Sequence, residues 1–403
     1  MYQMDLLSPY PYWLLRHGII NTYPSLDDDL KTEIVIMGAG ISGTLVANQL
    51  CQAGYRVIIV DRRHAGMGST AASTSLLQYE IDKPLHQLID MVGEKKAMKS
   101  YHLCRQAILD LKKICDRLKD PGLFSNKPSF QFASFKKDVT DLKKEYLLRK
   151  KAGFLLQWLD EKDIHEKFSF IKPAGILSQD GAEADAYKIT HSLLEKWVVK
   201  GLQVYDNTDI ITIRHHKHEI ELIAANKKKI RAKKLIIACG YESQQYIPKK
   251  VQDLQATFAI CSEPFSQKNF WYKNALIWET NMPYLYLRTT SDHRILLGGK
   301  DVPFSNPVKR DNLINQKTKS LEKSFAKLFP DLYFKTDFKW AGTFASTKDG
   351  LPYIGSIPQR PHTYFALGFG GNGITFSVIA ANILKDILSG KKNRDAAIFG
   401  FDR

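Results

Sequence analysis

A glycine-rich turn near the amino terminus constrains this chain more than any other feature. The turn follows an apolar run at 34–37, and it precedes a stretch of helical periodicity and a second apolar run at 57–60. This order predicts a β-α-β unit that binds a dinucleotide, with the pyrophosphate at the positive start of the helix. The turn comprises Gly38, Ala39, Gly40, Ile41, Ser42 and Gly43.

The three glycines of this motif have separate predicted roles. Gly38 permits the tight turn, and Gly40 lets the backbone approach the pyrophosphate. Gly43 lets the helix pack closely against the strand. Asp61, at the end of the second strand, is placed to accept hydrogen bonds from an adenosine ribose, a position where a 2′-phosphate would be repelled.

The residues after Asp61 indicate the kind of dinucleotide. Arg62 and Arg63 follow directly and are assigned to the same binding site. A run of small and hydroxyl residues comes next, which a nicotinamide enzyme does not require but which lets a flavin's diphosphate and ring approach the backbone. The candidates in this run are Gly66, Gly68, Ser69 and Thr70.

The distribution of predicted elements divides the chain into interleaved parts. Nucleotide-type strand and helix patterns occur at the start, in the middle and at the end, whereas the pattern from about 255 is mostly β. We therefore predict a discontinuous cofactor domain with a second domain threaded through it. The predicted ranges are 1–30 for an N-terminal arm packed on the main body, 31–82, 184–250 and 339–395 for the cofactor domain, 83–183 and 251–338 for the substrate domain, and 396–403 for a tail.

The composition indicates the environment in which the protein works, but it does not identify a binding partner. The formal net charge of +16 attracts anionic ligands, but the basic residues are spread over helical and strand patterns and are predicted to form solvated faces. Five cysteines without a C-x-x-C pair indicate a reduced environment. No apolar run reaches the length of a membrane span, so a cytoplasmic protein is expected.

The motifs at both ends of the chain resemble the D-amino-acid oxidase and glycine oxidase superfamily of FAD-dependent amine oxidoreductases. The carrying segments are the glycine motif, "STKDGLPYIG" and "ALGFGGNGITFS". The resemblance implies an α/β protein, α+β overall, with a Rossmann-type FAD domain and a substrate domain whose antiparallel sheet covers the flavin, as in p-hydroxybenzoate hydroxylase. The implied flavin-binding residues, beyond those above, are Ala71, Ser73, Gly240, Gly371, Asn372, Gly373, Ile374 and Thr375, the last five with amides facing the pyrimidine end of the ring.

One departure from the family bears on the substrate. Amino-acid-oxidising members carry an arginine that pairs with the substrate carboxylate, where this chain has Phe344. Arg288 is either an alternative charge in the pocket or an ion-pairing surface residue, and Tyr286 lies on the same strand face. Phe344 and Trp340 are predicted to form an apolar wall, so the catalytic candidates are Tyr286, Arg288, Phe344 and Trp340.

Further departures concern the flavin and metals. The positions that carry covalent flavin links in some members are Gly342 and Ala72, so the resemblance implies non-covalent FAD. Leu296 stands where sarcosine oxidases place a lysine over the flavin, which leaves both oxidase and dehydrogenase open. His215, His216 and His218 have no carboxylate or cysteine partners in the sequence, so we predict a solvated edge and no metal site.

Together these observations predict an FAD enzyme that oxidises the C–N bond of an amine or amino-acid-like small molecule by hydride transfer. One alternative keeps the fold and oxidises a 2-hydroxy acid or another anionic CH–OH substrate, which suits the positive charge. Another is an enzyme acting on an anionic macromolecule such as tRNA, although no RNA-binding signature occurs. The sequence leaves the oligomeric state open.

Overall fold

The computed structural model describes residues 5–266 and 270–403. The helices of these residues are α1 (Tyr12–His17), α2 (Ile41–Gln52), α3 (Ser69–Ala72), α4 (Leu85–Val92), α5 (Glu94–Asp116), α6 (Val139–Lys151), α7 (Glu161–Phe168), α8 (Ala186–Val198), α9 (Pro307–Asn312), α10 (Ile314–Leu328) and α11 (Gly373–Leu388). The strands are β1 (Leu30–Met37), β2 (Val57–Val60), β3 (Leu76–Leu77), β4 (Phe124–Phe132), β5 (Leu156–Leu159), β6 (Gly175–Ala184), β7 (Gln203–Tyr205), β8 (Ile210–His215), β9 (Ile220–Ala224), β10 (Lys229–Ile237), β11 (Asp253–Ser262), β12 (Leu276–Glu279), β13 (Tyr286–Thr289), β14 (Ile295–Pro303), β15 (Thr336–Ser346), β16 (Tyr353–Ser356) and β17 (Thr363–Leu367).

The first sheet contains the predicted β-α-β unit. Its strands run in the order β16-β17-β10-β1-β2-β7, and β9 and β8 are attached beside β10. The neighbours from β17 to β7 pair in parallel. The end of β1 and the whole of β2 are buried, as expected for parallel strands covered on both faces. The Rossmann-type prediction is confirmed.

The second sheet has the order β15-β11-β14-β13-β12-β4-β6-β3, with β5 beside β6. Its pairs are antiparallel except for β12 and β4. A core rich in aromatic side chains packs on one face of this sheet, including Phe130, Phe168, Phe258 and Phe325. The predicted antiparallel sheet of the substrate domain is therefore present, with one parallel pair within it.

Helices α2 and α11 lie side by side against the first sheet and share one core cluster with it. The hydroxyl oxygens of Ser42 and Ser377 lie 2.7 Å apart and join the two helices near their starts. This packing brings the starts of two helices to one place, although the helices are more than 300 residues apart in the sequence.

The predicted domain division stays a prediction, and strands of the second sheet depart from it at three places. β15 runs across the boundary placed at 339, and β6 ends at 184, where a cofactor segment was predicted to begin. β3 falls in the predicted cofactor segment 31–82, but it pairs with β6 of the second sheet. The reason is that both sheets border the same cavity, so the chain changes sheets within short segments.

Candidate active site

One large cavity of about 920 Å³ lies between the two sheets. A volume of this size is ample for a dinucleotide's ring and a small molecule. Both sheets and the helix starts of α2 and α11 contribute to its wall. The predicted site residues that line it are Gly38, Gly40, Ile41, Ser42, Asp61, Arg62, Arg63, Gly68, Ser69, Thr70, Ser73, Gly240, Tyr286, Phe344, Gly371, Asn372, Gly373, Ile374 and Thr375.

The glycine turn between β1 and α2 leaves no room for larger residues. Gly38 has φ +109°, and a Cβ there would lie 2.4 Å from the carbonyl oxygen of Ala238. A Cβ on Gly43 would lie 1.9 Å from the carbonyl oxygen of Gly38. Gly43 therefore allows α2 to pack closely against the turn and against Ile36 at the end of β1, although it does not line the cavity.

Asp61 is held in place by the turn that it faces. Its carboxylate accepts the amide of Ala39 at 2.7 Å and the amide of Arg63 at 2.9 Å. Burial raises the pKa of Asp61 to about 6, and these two amides oppose the rise. Ala39 was predicted to bind the cofactor, but it lies outside the cavity wall because its amide points to Asp61.

The two arginines after Asp61 share a partner that the sequence reasoning missed. Arg62 and Arg63 both pair with the buried carboxylate of Glu242. Glu242 belongs to the short helical turn Gly240–Tyr246 after β10, which also brings Gly240 to the cavity. This proximity could have been predicted, because β2 and β10 are both followed by these residues and the carboxyl ends of parallel strands lie at one edge of a sheet.

The segment of small residues forms the short helix α3 beside the glycine turn. The hydroxyl oxygen of Thr70 accepts the amide of Ile41, the first residue of α2, at 3.0 Å. Ala71 is fully buried beneath the segment and does not line the cavity, contrary to its predicted role in binding. Ala71 lies on the side of this short helix that faces the arm, where it packs with Tyr12 and Trp13.

Hydrogen bonds with distant parts of the chain hold the turn before α11 in place. The amide of Gly371 donates to Asp82 at 2.8 Å, so it does not face the cavity as predicted. The side-chain amide of Asn372 donates to the carbonyl oxygens of Gln78 and Glu80 at 3.1 and 2.7 Å. Gly373 begins α11 at the cavity wall, where the unpaired amides of a helix start favour negative charge.

The second sheet presents aromatic, hydroxyl and acidic side chains to the cavity. Tyr286 of β13 and Phe344 of β15 line it, as predicted, together with Thr257 of β11 and Asp301 of β14. Burial raises the pKa of Tyr286 to about 12, and its hydroxyl bonds with the Thr257 and Thr74 hydroxyls oppose the rise. Asp301 had no signal in the sequence, since it follows the apolar run at 295–297 without belonging to a recognised motif.

Two predicted pocket residues lie elsewhere. Arg288 is 3% exposed and donates to the carbonyl oxygens of Ser75 and Ala184 at 3.0 and 3.2 Å, so it is neither a pocket charge nor a surface residue. Trp340 is 1% exposed, and its indole N–H donates to the carbonyl oxygen of Ala72. Both residues lie on the strand faces expected, but the N-terminal arm covers this end of the sheet: Trp340 packs with Tyr12 and Trp13, and the Arg288 guanidinium lies over the Trp13 ring.

The N-terminal arm reaches the cavity itself. Ser8 donates its amide to the carbonyl oxygen of Ala341, and Thr343 donates to that of Leu6, both at 2.9 Å. These bonds add the arm beside β15, and they place Leu6 in the cavity wall. The packed arm agrees with the sequence prediction, but a role for Leu6 in the wall was missed. Residues 1–4 lie outside the described part of the chain.

The remaining site predictions concern flavin links, oxygen access and metals. Gly342 and Ala72 face each other, since a Cβ on Gly342 would lie 3.5 Å from that of Ala72. Leu296 is buried against the arm and does not line the cavity. Among the described residues, no three histidine, cysteine or acidic side chains are grouped to hold a metal, and no helix is long and apolar enough to cross a membrane.

The residues of the cavity fit a flavin dinucleotide. The glycine turn has space only for backbone, the start of α2 faces the cavity, and Asp61 stands at the end of β2 beside them. These residues would hold the adenosine diphosphate, and the segments around Ser69 and Gly373 would hold the ring.

Comparison with known proteins agrees with this geometry. The model of the family described as FAD dependent oxidoreductase, DAO, matches residues 33–387. Glycine oxidase of Geobacillus kaustophilus is 23% identical over 395 residues, covering 93% of this chain and 97% of that protein. Gamma-glutamylputrescine oxidoreductase of Escherichia coli is 21% identical, covering 92% and 87%. The crystal structure of the Geobacillus glycine oxidase superposes with a TM-score of 0.78 at 19% identity, covering 93% and 99%. The chain therefore belongs to the DAO family of FAD-dependent oxidoreductases, and FAD is its cofactor.

Proposed function

We propose that this enzyme oxidises the C–N bond of an amine or amino-acid-like small molecule. When bound, the flavin supplies the hydride acceptor for the carbon that bears the nitrogen, and water then hydrolyses the resulting imine. The protein has to position the substrate, exclude water and stabilise negative charge on the reduced ring. Two relatives whose names concern glycine and gamma-glutamylputrescine support oxidation of nitrogen compounds.

The supporting observation is the composition of the cavity wall on the side of the second sheet. Tyr286 and Phe344 give this side an aromatic surface, and Arg288 is buried in bonds to backbone carbonyl oxygens. A bidentate arginine contact to a carboxylate contributes about 1.5–3 kcal/mol, and this side of the described cavity offers none. An amine with an aliphatic or aromatic body fits this wall better than a small anionic acid.

Non-covalent attachment of FAD is part of the proposal. Gly342 and Ala72 carry no nucleophile at the positions where some family members form the link. Denaturation should therefore release all of the yellow chromophore from the polypeptide. Flavin that stays with the precipitated protein would contradict this part.

The decisive experiment is anaerobic reduction of the purified yellow enzyme by a panel of compounds. We expect loss of flavin absorbance with amines, and no bleaching with 2-hydroxy acids or polyol phosphates. Bleaching by the hydroxy compounds alone would replace the proposal with CH–OH oxidation. Readmitting oxygen then distinguishes an oxidase, which reoxidises rapidly, from a dehydrogenase. Salt-sensitive retention of RNA during purification would favour a macromolecular substrate instead.

A further inference from the structure

The second sheet contributes one charged side chain to the cavity within the described part of the chain, and that side chain is acidic. It is Asp301 of β14. The cations that line the cavity are Arg62 and Arg63, and both pair with Glu242 beside the first sheet. The first side therefore offers both cations and carboxylates, since Asp61, Asp209 and Glu242 also line it, whereas the charged group of the second side is a carboxylate.

The carboxylate of Asp301 retains an unused acceptor. Its Oδ1 atom is buried and has no hydrogen-bond partner among the described residues. Burial raises the pKa of Asp301, whereas the Thr257 hydroxyl and the charge of Lys317 on α10 both lower it. The Lys317 ammonium, however, donates its hydrogen bond to the carbonyl oxygen of Lys300 at 2.8 Å. A buried carboxylate oxygen without a partner is costly, so a ligand that donates a hydrogen bond there gains the full benefit of pairing it.

The surroundings of Asp301 favour a cation. The rings of Tyr284 and Tyr286 lie 5.7 Å apart and line the same cavity, as does Phe344. Aromatic faces attract ammonium groups, more strongly where water is excluded. Asp82, which accepts the hydroxyl of Tyr284 at 3.2 Å, adds a second negative charge close enough to raise the pKa of Asp301. A carboxylate placed here would meet like charge.

We propose that Asp301 is a specificity-determining residue that binds an ammonium group of the substrate. The inference rests on the proposed function and narrows it to amine cations without a carboxylate next to the reacting carbon. The ammonium is either the reacting nitrogen, which must first pass a proton to the Asp301 carboxylate so that its lone pair is free when hydride leaves, or a second nitrogen of a diamine. Because both present the same charge and hydrogen-bond donors, the two are separated by experiment.

The first test measures binding without turnover. tert-Butylamine has no hydrogen on the carbon that bears nitrogen, so it cannot be oxidised there, and pivalate and tert-butanol have similar shapes with negative and zero charge. We expect the amine to perturb the flavin spectrum and raise the melting temperature of the holoenzyme, with little effect from the other two. Asp301→Asn should weaken amine binding by roughly 10- to 100-fold, the range for a hydrogen bond to a charged group.

Variants and substrates complete the design. Asp301→Glu keeps the charge and should retain most of the affinity, whereas Asp253→Asn removes an equal charge from the exposed end of β11 and should change nothing. In turnover, butylamine and 1,4-diaminobutane distinguish the two nitrogens. If Asp301→Asn raises KM for both amines, Asp301 binds the reacting nitrogen. If Asp301→Asn raises KM for the diamine only, Asp301 binds the distal nitrogen.

The outcomes separate this inference from the proposed function. Amine affinity unchanged in folded, yellow Asp301→Asn would overturn the inference. Bleaching by amino acids but not by amine cations would also overturn it while leaving C–N oxidation intact. Absence of bleaching by every nitrogen compound would instead remove the proposed function.

Discussion

The two sides of the cavity present different chemical groups. Beside the first sheet, the wall includes a glycine turn and two helix starts, and close packing at the turn leaves room only for backbone. Beside the second sheet, the wall includes the side chains of Thr257, Tyr284, Tyr286, Asp301 and Phe344. Backbone presents the same groups whatever the residue, so one side suits an invariant cofactor. The other side can change its ligand by single substitutions.

Two carboxylates make the comparison sharper. Burial raises the pKa of both Asp61 and Asp301 to about 6. Asp61 accepts two main-chain amides, those of Ala39 and Arg63. Among the described residues, the Oδ1 atom of Asp301 has no hydrogen-bond partner. Asp61 therefore uses its carboxylate within the fold, whereas Asp301, under similar burial, has an oxygen open to a ligand.

The largest expected effect comes from adding a side chain at the glycine turn on the first-sheet side of the cavity. Gly43→Ala would place a Cβ 1.9 Å from the carbonyl oxygen of Gly38, and neither atom can move without shifting β1 or α2. We expect a loss of about 3 kcal/mol or more in the free energy of unfolding, and purification without FAD. Denaturant unfolding and the flavin spectrum measure both. Gly400→Ala, where the nearest atom is 3.8 Å away, is the control and should stay yellow.

A substitution on the second sheet should change the ligand instead. Phe344→Arg would supply the arginine that amino-acid-oxidising members carry. We expect the ratio of kcat/KM for amino acids to that for amine cations to rise by about tenfold or more, since a bidentate contact contributes about 1.5–3 kcal/mol. FAD content should not change. Phe344→Leu should leave the ratio as it is; an equal change in both variants would mean that volume, not charge, sets the preference.

The pH dependence separates the ligand from the fold. Asp301 must be ionised to bind a cation, so affinity for an amine of pKa near 10 should rise as pH increases through about 6 and fall below it. The groups that act on Asp301 are Thr257, Asp82 and Lys317. Calorimetric titration of tert-butylamine between pH 5 and 7.5 measures the profile. Asp301→Asn should flatten it, and a persistent midpoint near 6 in that variant would assign the titration to another group.

The raised pKa of Asp301 gives the free energy of unfolding a pH dependence opposite to that of amine binding. The folded protein holds the Asp301 proton more tightly than the unfolded chain, whose carboxyl titrates near 3.8. The contribution of Asp301 to the free energy of unfolding is therefore greatest at low pH and decreases as pH rises from about 4 to about 6. Unfolding of ligand-free Asp301→Asn should lack this decrease, compared with Asp253→Asn.

The smallest expected effect concerns the arm. Leu6→Ala removes a buried side chain from the edge of the cavity, 4% exposed, while the main-chain bonds to β15 remain. We expect a loss of roughly 1.5–3 kcal/mol from the docking of the arm and weaker amine binding, with FAD retained. Proteolysis near the amino terminus and the amine KM measure these effects. Leu15→Ala, at an exposed position, should change neither; loss of FAD in Leu6→Ala would place the arm on the cofactor side.

Local sequence determined much of the cofactor side. The glycines at 38, 40 and 43, the acid at 61 and the turn at 371–373 lie next to strand and helix patterns that fix their geometry within a few residues. Predictions failed there only in detail: Ala39, Ala71 and Gly371 belong to the same turns but direct their groups into the protein. The direction of a single amide depends on its partner, and Asp82, for example, lies 289 residues from Gly371.

On the second sheet, sequence alone determined the strands and their faces, and tertiary structure decided which residues meet the ligand. Alternation placed Arg288 and Trp340 on the faces expected, but the arm, far away in the chain, covers that end and buries both. Asp301 and Leu6 reach the cavity through pairings with β11 and β15. A period of two residues specifies a face, whereas the position along a strand that opens to a cavity depends on what packs over the rest of it.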